Sequence, residues 1–334
     1  MILVILGITA TTFYISRGLP GVDPLAAYIL PGTQLTPHAI DVLRNQLHLN
    51  DPLYIQYFYY FSSLLHGDWG FSRTADQPVS TALFVRLPGT IELSIFAVTL
   101  SVLIGLPAGI IAALRQGKVI DKFVGFFSLS GVSLPLFWIG TIFQITFFYY
   151  FRLAGLPSFP LSGRVDPAVF LLHPLRQITG LYLLDSLITG NYQFFISSLA
   201  HIILPGFTVS LIGLAAIVRT TRASMLETMS QNFIIFAKSK GIRGRALVLR
   251  HALRNAIIPV VTTAGTMFGL LLGGSVVVEV VFNWPGIGSL AAQGILNDDT
   301  NLMMGFVLVV AFMMVIVNLA VDLLYPLIDP RVKY

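Results

Sequence analysis

The chain has 334 residues, of which 55% are hydrophobic and only 10% charged, with a formal net charge of +5 and a mean hydropathy of +0.82. Soluble domains carry about 25% charged residues, so a chain this apolar has too little polar surface to coat a globule, and its natural solvent is a bilayer. The lack of cysteine excludes disulfides and thiolate chemistry. Its basic residues sit between apolar segments and read as topology signals, not as a nucleic-acid footprint.

A membrane-spanning helix needs about 20 mainly apolar residues, and lipid forces its backbone groups to bond internally. Six segments qualify: 2–17, 91–114, 122–151, 197–218, 256–282 and 303–326. The first has no basic residue ahead of it and no clear cleavage site, so it reads as a retained helix and not as a signal peptide. Residues 18–90 form a large segment after it. Leu47–Asn50 leads there to a turn at Asp51–Pro52 with a helix following, and the Tyr54–Phe61 aromatic cluster suits a membrane interface. The third span is long enough to tilt or overrun the hydrocarbon, and Pro135 predicts a kink in it. Residues 153–196 form a second long connection. The rest of the core, 91–334, holds five spans and a loop at 219–255.

Orientation follows from Lys and Arg. With the N-terminus inside, the inner segments carry Arg115, Lys118 and Lys122, then eight residues from Arg219 to Arg254, then Arg331 and Lys333. Seven basic residues are left for the much longer outer segments, where Asp23, Asp41, Asp51, Asp68 and Asp76 cluster. Both termini are expected inside. Segments 18–90 and 153–196 are expected outside.

The densest basic run is "AKSKGIRGRALVLRHALRNAIIPV", residues 237–260, without an acid. Read as a helix, 243–258 places Arg243, Arg250 and Arg254 on one side. Ala246, Leu249, Leu253, Ala256 and Ile257 form the neighbouring stripe. Gly241 separates this helix from "QNFIIFAKS", and Pro259 is expected to bend the chain as the fifth span begins. The pattern describes an ordered knuckle. Two readings are open: an orientation signal that touches anionic lipid, or a docking surface for a partner.

In the spans, Gly265, Gly269 and Gly273 repeat at i, i+4, i+8, and Gly105 and Gly109 make a similar pair. Such ladders let helices approach closely, either within one subunit or against a neighbouring one. Charges are confined to the margins, with Glu92 and Glu279 near the outer ends and Asp322 near the inner end, and capping, pairing or headgroup-level solvation is expected of them. "FNWPGIG" at 282–288 reads as an outer turn with Trp284 at interface depth. No phosphate-cradling G-x-x-x-x-G-K-[ST] occurs, Gly117–Lys118–Val119 being the nearest approach, and there is no H-E-x-x-H or G-x-S-x-G. The six histidines lack ligand spacing. The chain is expected to have no chemistry, metal or cofactor of its own.

The basic run, together with "GDWGFS", "RLPGTIELSIFAVTLSVLIGLPAGIIAAL", "DKFVGFFSLSGVSLPLFWIG", "ITGLYLLDSLITGN", "RTTRASMLE", "GGSVVVEVVFNWPGIGSL" and "VNLAVDLLYPLIDPRV", resembles the permease subunits of binding-protein-dependent ABC importers, in particular the first, B-type, permease of the dipeptide/oligopeptide family. These stretches cover nearly the whole chain in order. The resemblance implies an all-α integral membrane protein with six transmembrane helices, the type I ABC importer permease fold, in a prokaryotic cytoplasmic membrane. It implies a second, related permease, two cytoplasmic ATPases that hold the ATP and Mg, and an extracytoplasmic solute-binding protein. The ATPase-docking residues implied are Phe233, Ala237, Lys238, Lys240, Gly241 and Arg243. Trp284, Pro285 and Gly286 are implied to lie near the outer mouth of the pathway. The sequence departs from the general motif, which begins Glu-Ala-Ala, at Ile235 and Phe236, and has Asn232 where an acid is common. The resemblance implies import of short peptides, with oligosaccharides and nickel as alternatives. A self-sufficient channel or secondary carrier is the rival class, and it would want polar groups at mid-membrane.

Overall fold

The computed structural model describes residues 2–17, 25 and 36–328. The basic end at Arg331 and Lys333, and Asp23, lie outside the described residues. The elements begin with α1 (Ile2–Arg17), α2 (Pro37–Gln46) and α3 (Leu53–Leu65), then a two-residue hairpin of β1 (Phe71–Ser72) and β2 (Gln77–Pro78). Then follow α4 (Val79–Leu114), α5 (Val119–Ser133), α6 (Leu136–Leu153), α7 (Pro167–Leu172), α8 (Tyr182–Ile188), α9 (Tyr192–Met229) and α10 (Asn232–Ser239). The chain closes with α11 (Gly244–Gly274), α12 (Val276–Val281), α13 (Ile287–Leu296) and α14 (Thr300–Ile328).

Among the described residues, α4, α6, α9, α11 and α14 contain stretches long and apolar enough to cross a membrane. α1 is helical as expected, but its 16 residues reach about 24 Å at 1.5 Å per residue, short of a hydrocarbon core of about 30 Å.

Two expected spans are corrected in outline. The third is not one kinked helix. Leu134 (ψ 140°) and Pro135 (ψ 133°) are extended, because the proline ring drives the preceding residue out of the helical region, so α5 and α6 are separate. The fifth stops at Gly274, where two glycines of poor helix propensity precede Ser275, and α12 restarts beyond it. Pro259, by contrast, lies inside the continuous α11.

The described chain divides into two units, Met1–Thr90 with Pro285–Val315, and Ile91–Trp284 with Ile316–Tyr334. In the first, Phe13 packs edge-on to Tyr57 with ring centroids 5.5 Å apart, and Thr9 Oγ1 lies 2.8 Å from the Tyr57 hydroxyl. The buried Asp299 carboxylate holds the hairpin. It accepts from Ser72 Oγ at 2.7 Å, from the Thr74 amide at 2.9 Å and from the Leu302 amide at 3.1 Å. Burying a carboxylate is tolerable only with such partners.

The second unit is organised on α9. Small residues on both helices let it meet α4 at close range. A Cβ on Gly105 of α4 would stand 2.9 Å from Ile217, and one on Gly109 would stand 2.6 Å from Thr221 and 2.9 Å from the Val218 carbonyl. A Cβ on Gly206 of α9 would overlap the Phe96 ring. Ser101 Oγ donates across the crossing to the Ser210 carbonyl at 2.8 Å. Two cores flank this crossing. One gathers Leu93, Ile202, Leu271, Val278, Phe282 and Trp284. The other gathers Ala113, Met225, Ile234, Ala237, Leu247, Ala252 and Ala256.

Candidate functional site

The basic run folds as an ordered knuckle. α10 ends at Lys240, and Gly241 follows with φ +83°. The Gly241 amide donates to the Lys238 carbonyl at 3.0 Å and the Ile242 amide to the Ala237 carbonyl at 3.1 Å. This is a Schellman cap, with Ile242 and Ala237 both packed at the same core. Glycine is required at 241 by its left-handed backbone, since a Cβ there would meet nothing within 4 Å.

α11 then opens with a π-turn at Leu247–Ala252. It inserts an extra residue into the helical repeat, so the buried positions run Leu247, Ala252, Ala256, Val260. The stripe expected from straight helical spacing is corrected: Ala246 and Leu249 are exposed, and Ala256 alone of its five residues is buried.

Of the six expected docking residues, Phe233, Lys238, Lys240, Gly241 and Arg243 are exposed. Ala237 is turned inward and 6% exposed, packed with Ile234, Leu247 and Ala252 in its own chain. It shapes the knuckle but presents no side chain on its outer face. Ile235 and Phe236, where the chain departs from the family motif, are instead exposed, Phe236 by 60%, with Lys240 Nζ 4.5 Å from the Phe236 ring centroid. The outer face is thus aromatic and aliphatic with a cationic border.

A bidentate pair braces this region. Arg222 on α9 donates from Nε to Asp121 Oδ1 at 2.6 Å and from Nη2 to Asp121 Oδ2 at 2.8 Å, and the Gly117 amide adds a bond of 2.9 Å. The Arg222 guanidinium and, next, the Gly117 amide lower the Asp121 carboxyl from 3.8 to about 2. A folded value below the unfolded one means that the stabilisation is complete above about 4 and is lost as pH falls through 2. Asp121→Asn is therefore expected to cost about 1–2 kcal/mol at pH 7. Melting of the two proteins in detergent across pH should show a gap that persists to pH 4 and narrows towards pH 2. A constant gap throughout would refute the assignment.

The glycine ladder is in part an intrachain contact. A Cβ on Gly265 would overlap the side chain of Val321 of α14. Gly269 is buried and Gly273 half-buried. Near the other end of α4, Glu92 is buried as an ion pair with Arg164, at 2.5 Å with both side chains 6% exposed. Glu92 also accepts from the Leu183 amide at 2.7 Å, and Arg164 donates to the Gly180 carbonyl at 3.1 Å. The guanidinium lies 3.7 Å from the Tyr182 ring centroid and 5.6 Å from that of Trp284. Gln144 Nε2 donates to the Leu161 and Val281 carbonyls, each at 3.0 Å, and the Gly163 amide to the Phe282 carbonyl at 3.1 Å. The placing of Trp284 in an interfacial turn is corrected: it is 1% exposed and belongs to the core. Pro285 is half-buried and Gly286 buried. The residues that sequence reasoning missed, Arg164 and Asp121, find partners 72 and 101 positions away. The only sequence signal was their charge in so apolar a chain.

These features define a class: a polytopic helical membrane protein whose spans are linked through a capped, solvent-facing knuckle. Residues 105–334 match the family of binding-protein-dependent transport system inner membrane components, and the chain belongs to that family. It is 40% identical over 332 residues to the probable D,D-dipeptide transport system permease protein DdpB of Escherichia coli (strain K12), covering 99% of this chain and 94% of that one. It is also 40% identical to the dipeptide transport system permease protein DppB of Alkalihalophilus pseudofirmus, covering 100% and 97%. To the di/tripeptide transport system permease protein DppB of Pseudomonas aeruginosa it is 37% identical, covering 98% and 94%. The chain is an inner-membrane permease component of an ABC importer, and its architecture agrees with the type I permease fold.

Proposed function

We propose that this permease forms, with a second related permease, the pathway by which di- and oligopeptides enter the cell. Two cytoplasmic ATPases dock on the coupling loops of the two permeases, in this chain the 231–255 knuckle, an extracytoplasmic binding protein delivers the solute, and both termini lie on the cytoplasmic side. The observation that carries this reading is the exposure of Phe233, Ile235 and Phe236 on a capped helix bordered by Lys238, Lys240 and Arg243. Large apolar side chains on a basic loop mark a protein-binding face. The knuckle shares one core with α9 and α11, so a displacement of α10 is passed to spanning helices through packed side chains. ATP shifts the conformational balance only through contacts that differ between the two states.

The peptide assignment draws on the relatives' substrates. The test is reconstitution of the chain with its second permease, ATPases and binding protein in vesicles. ATP-dependent accumulation of a labelled dipeptide is expected from the full assembly and none from this chain alone. Uptake by the isolated chain would overturn the proposal.

A further inference from the structure

We propose that Arg245, Arg250 and Arg254 on the first turns of α11 form a row that binds the phosphates of anionic lipid in the leaflet this helix enters. The inference rests on the permease reading for the side of the membrane. It goes beyond that reading in giving the knuckle a lipid partner besides the protein that docks on α10.

The row is made by the π-turn. Straight helical spacing aligns Arg243 with Arg250 and Arg254, but Arg243 is the extended residue before α11, with φ −134° and ψ 169°, and stands outside the helix. The residue that the π-turn inserts at Leu247–Ala252 brings Arg245 into line instead. Arg245, Arg250 and Arg254 keep the same step of five and then four as the buried Leu247, Ala252 and Ala256. They lie two positions earlier, and so on the opposite side of the helix. All three are exposed, and Leu249 beside them is 55% exposed.

The charges of the row are unmet within the chain. Arg164 and Arg222 close on carboxylates, whereas among the described residues no acceptor is bonded to the guanidinium of Arg245, Arg250 or Arg254. Arg245 lies in the first turn of α11, which holds no acid. The positive end of the helix dipole disfavours a cation there unless an anion lies beside it. A phosphate is the anion that the guanidinium fork fits in two parallel bonds. An acidic protein surface would also supply charge, and it is depth that selects lipid. The residues after Arg254, from Asn255 to Gly274, carry no charge and reach about 30 Å at 1.5 Å per residue, the thickness of the hydrocarbon core. Arg254 thus stands at the edge of that core. Arg250 follows about 6 Å and Arg245 about 13 Å beyond it. The headgroup layer is about 5–8 Å thick on each side, and a further Debye length of about 8 Å brings the whole row under the field of the phosphates. Leu249, at the level of Arg250, suits the boundary between headgroups and acyl chains. Basic clusters next to a spanning helix are of the kind that bind anionic lipid.

The chain has no cysteine of its own, so Leu249→Cys takes a single fluorophore beside the row. The labelled chain is assembled with its second permease, ATPases and binding protein, all free of reactive cysteines, in phosphatidylcholine vesicles. A minor fraction of the lipid is phosphatidylglycerol or phosphatidylcholine carrying a quenching nitroxide high on one acyl chain. Quenching by the phosphatidylglycerol is expected to exceed quenching by the phosphatidylcholine several-fold. The excess should vanish when Arg245→Gln, Arg250→Gln and Arg254→Gln are combined. It should largely persist when the same three are changed to Lys, which separates lost charge from lost fold. Equal quenching by the two lipids overturns the proposal, as does an excess that survives the three Gln substitutions. Weak quenching by both also overturns it, because the row would then be covered by protein. None of these measurements uses transport. If they fail while the same assembly accumulates dipeptide, the lipid row alone is wrong, and if the assembly does not accumulate dipeptide, it is the permease reading that has failed.

Discussion

Arg164→Ala is expected to be the most damaging single substitution outside the helix crossings, lowering stability by about 3–5 kcal/mol, the usual cost of leaving one member of a buried ion pair alone. The loss has three sources. The Glu92 carboxyl is left at 6% exposure without its partner. The Gly180 carbonyl loses a donor. The Tyr182 ring loses a cation held 3.7 Å from its centroid, an interaction worth about 2 kcal/mol when desolvated. Fluorescence-detected melting in detergent measures the shift. The decisive comparison is the double variant Glu92→Gln with Arg164→Met, which carries no buried charge. It should melt well above Arg164→Ala, because the pair's desolvation cost disappears together with its attraction. If Arg164→Ala melts within a degree of the parent, the clasp is not holding the 161–183 connection to α4.

Phe236→Asp is expected to have the opposite signature, a loss of transport without a loss of stability. The side chain is 60% exposed, and surface substitutions of this kind change stability by about 0.5 kcal/mol or less. An aromatic side chain at the centre of a docking face contributes about 2 kcal/mol or more to binding, which is roughly a thirtyfold change in affinity. Co-purification with the ATPases should fall accordingly, and peptide-stimulated ATP hydrolysis by the assembly with it. Ala237→Asp provides the contrast. Buried against Ile234, Leu247 and Ala252, it should lower melting temperature and coupling together, because it disrupts the knuckle instead of its surface. A Phe236→Asp assembly that retains full ATPase binding would move the docking face elsewhere on the chain.

The two results bear on one design. Among the described residues, several charges are closed in pairs and networks: Glu92 with Arg164, Asp121 with Arg222, and Asp185 with its ring of amides. None of these lies free within an apolar span.

Composition and periodicity alone determined that the protein is a helical membrane protein. Lipid leaves helices as the solution for long apolar segments, and among the described residues five helices carry that signal. The turn at Asp51–Pro52, the glycine stop at 241 and the basic knuckle were equally readable, because each depends on a few adjacent residues. The tertiary structure decided the rest. A π-turn at Leu247–Ala252 shifted the buried stripe of α11, and the packing of α10 onto the same core turned Ala237 inward. Local spacing assumes an unbroken helix, so it had no access to that shift. Trp284 left the interface for the core because Leu93 and Arg164 gather around it from distant parts of the chain. The ion pairs that close the second unit join residues 72 and 101 positions apart, and pairing at that range is set by packing, which no local pattern encodes.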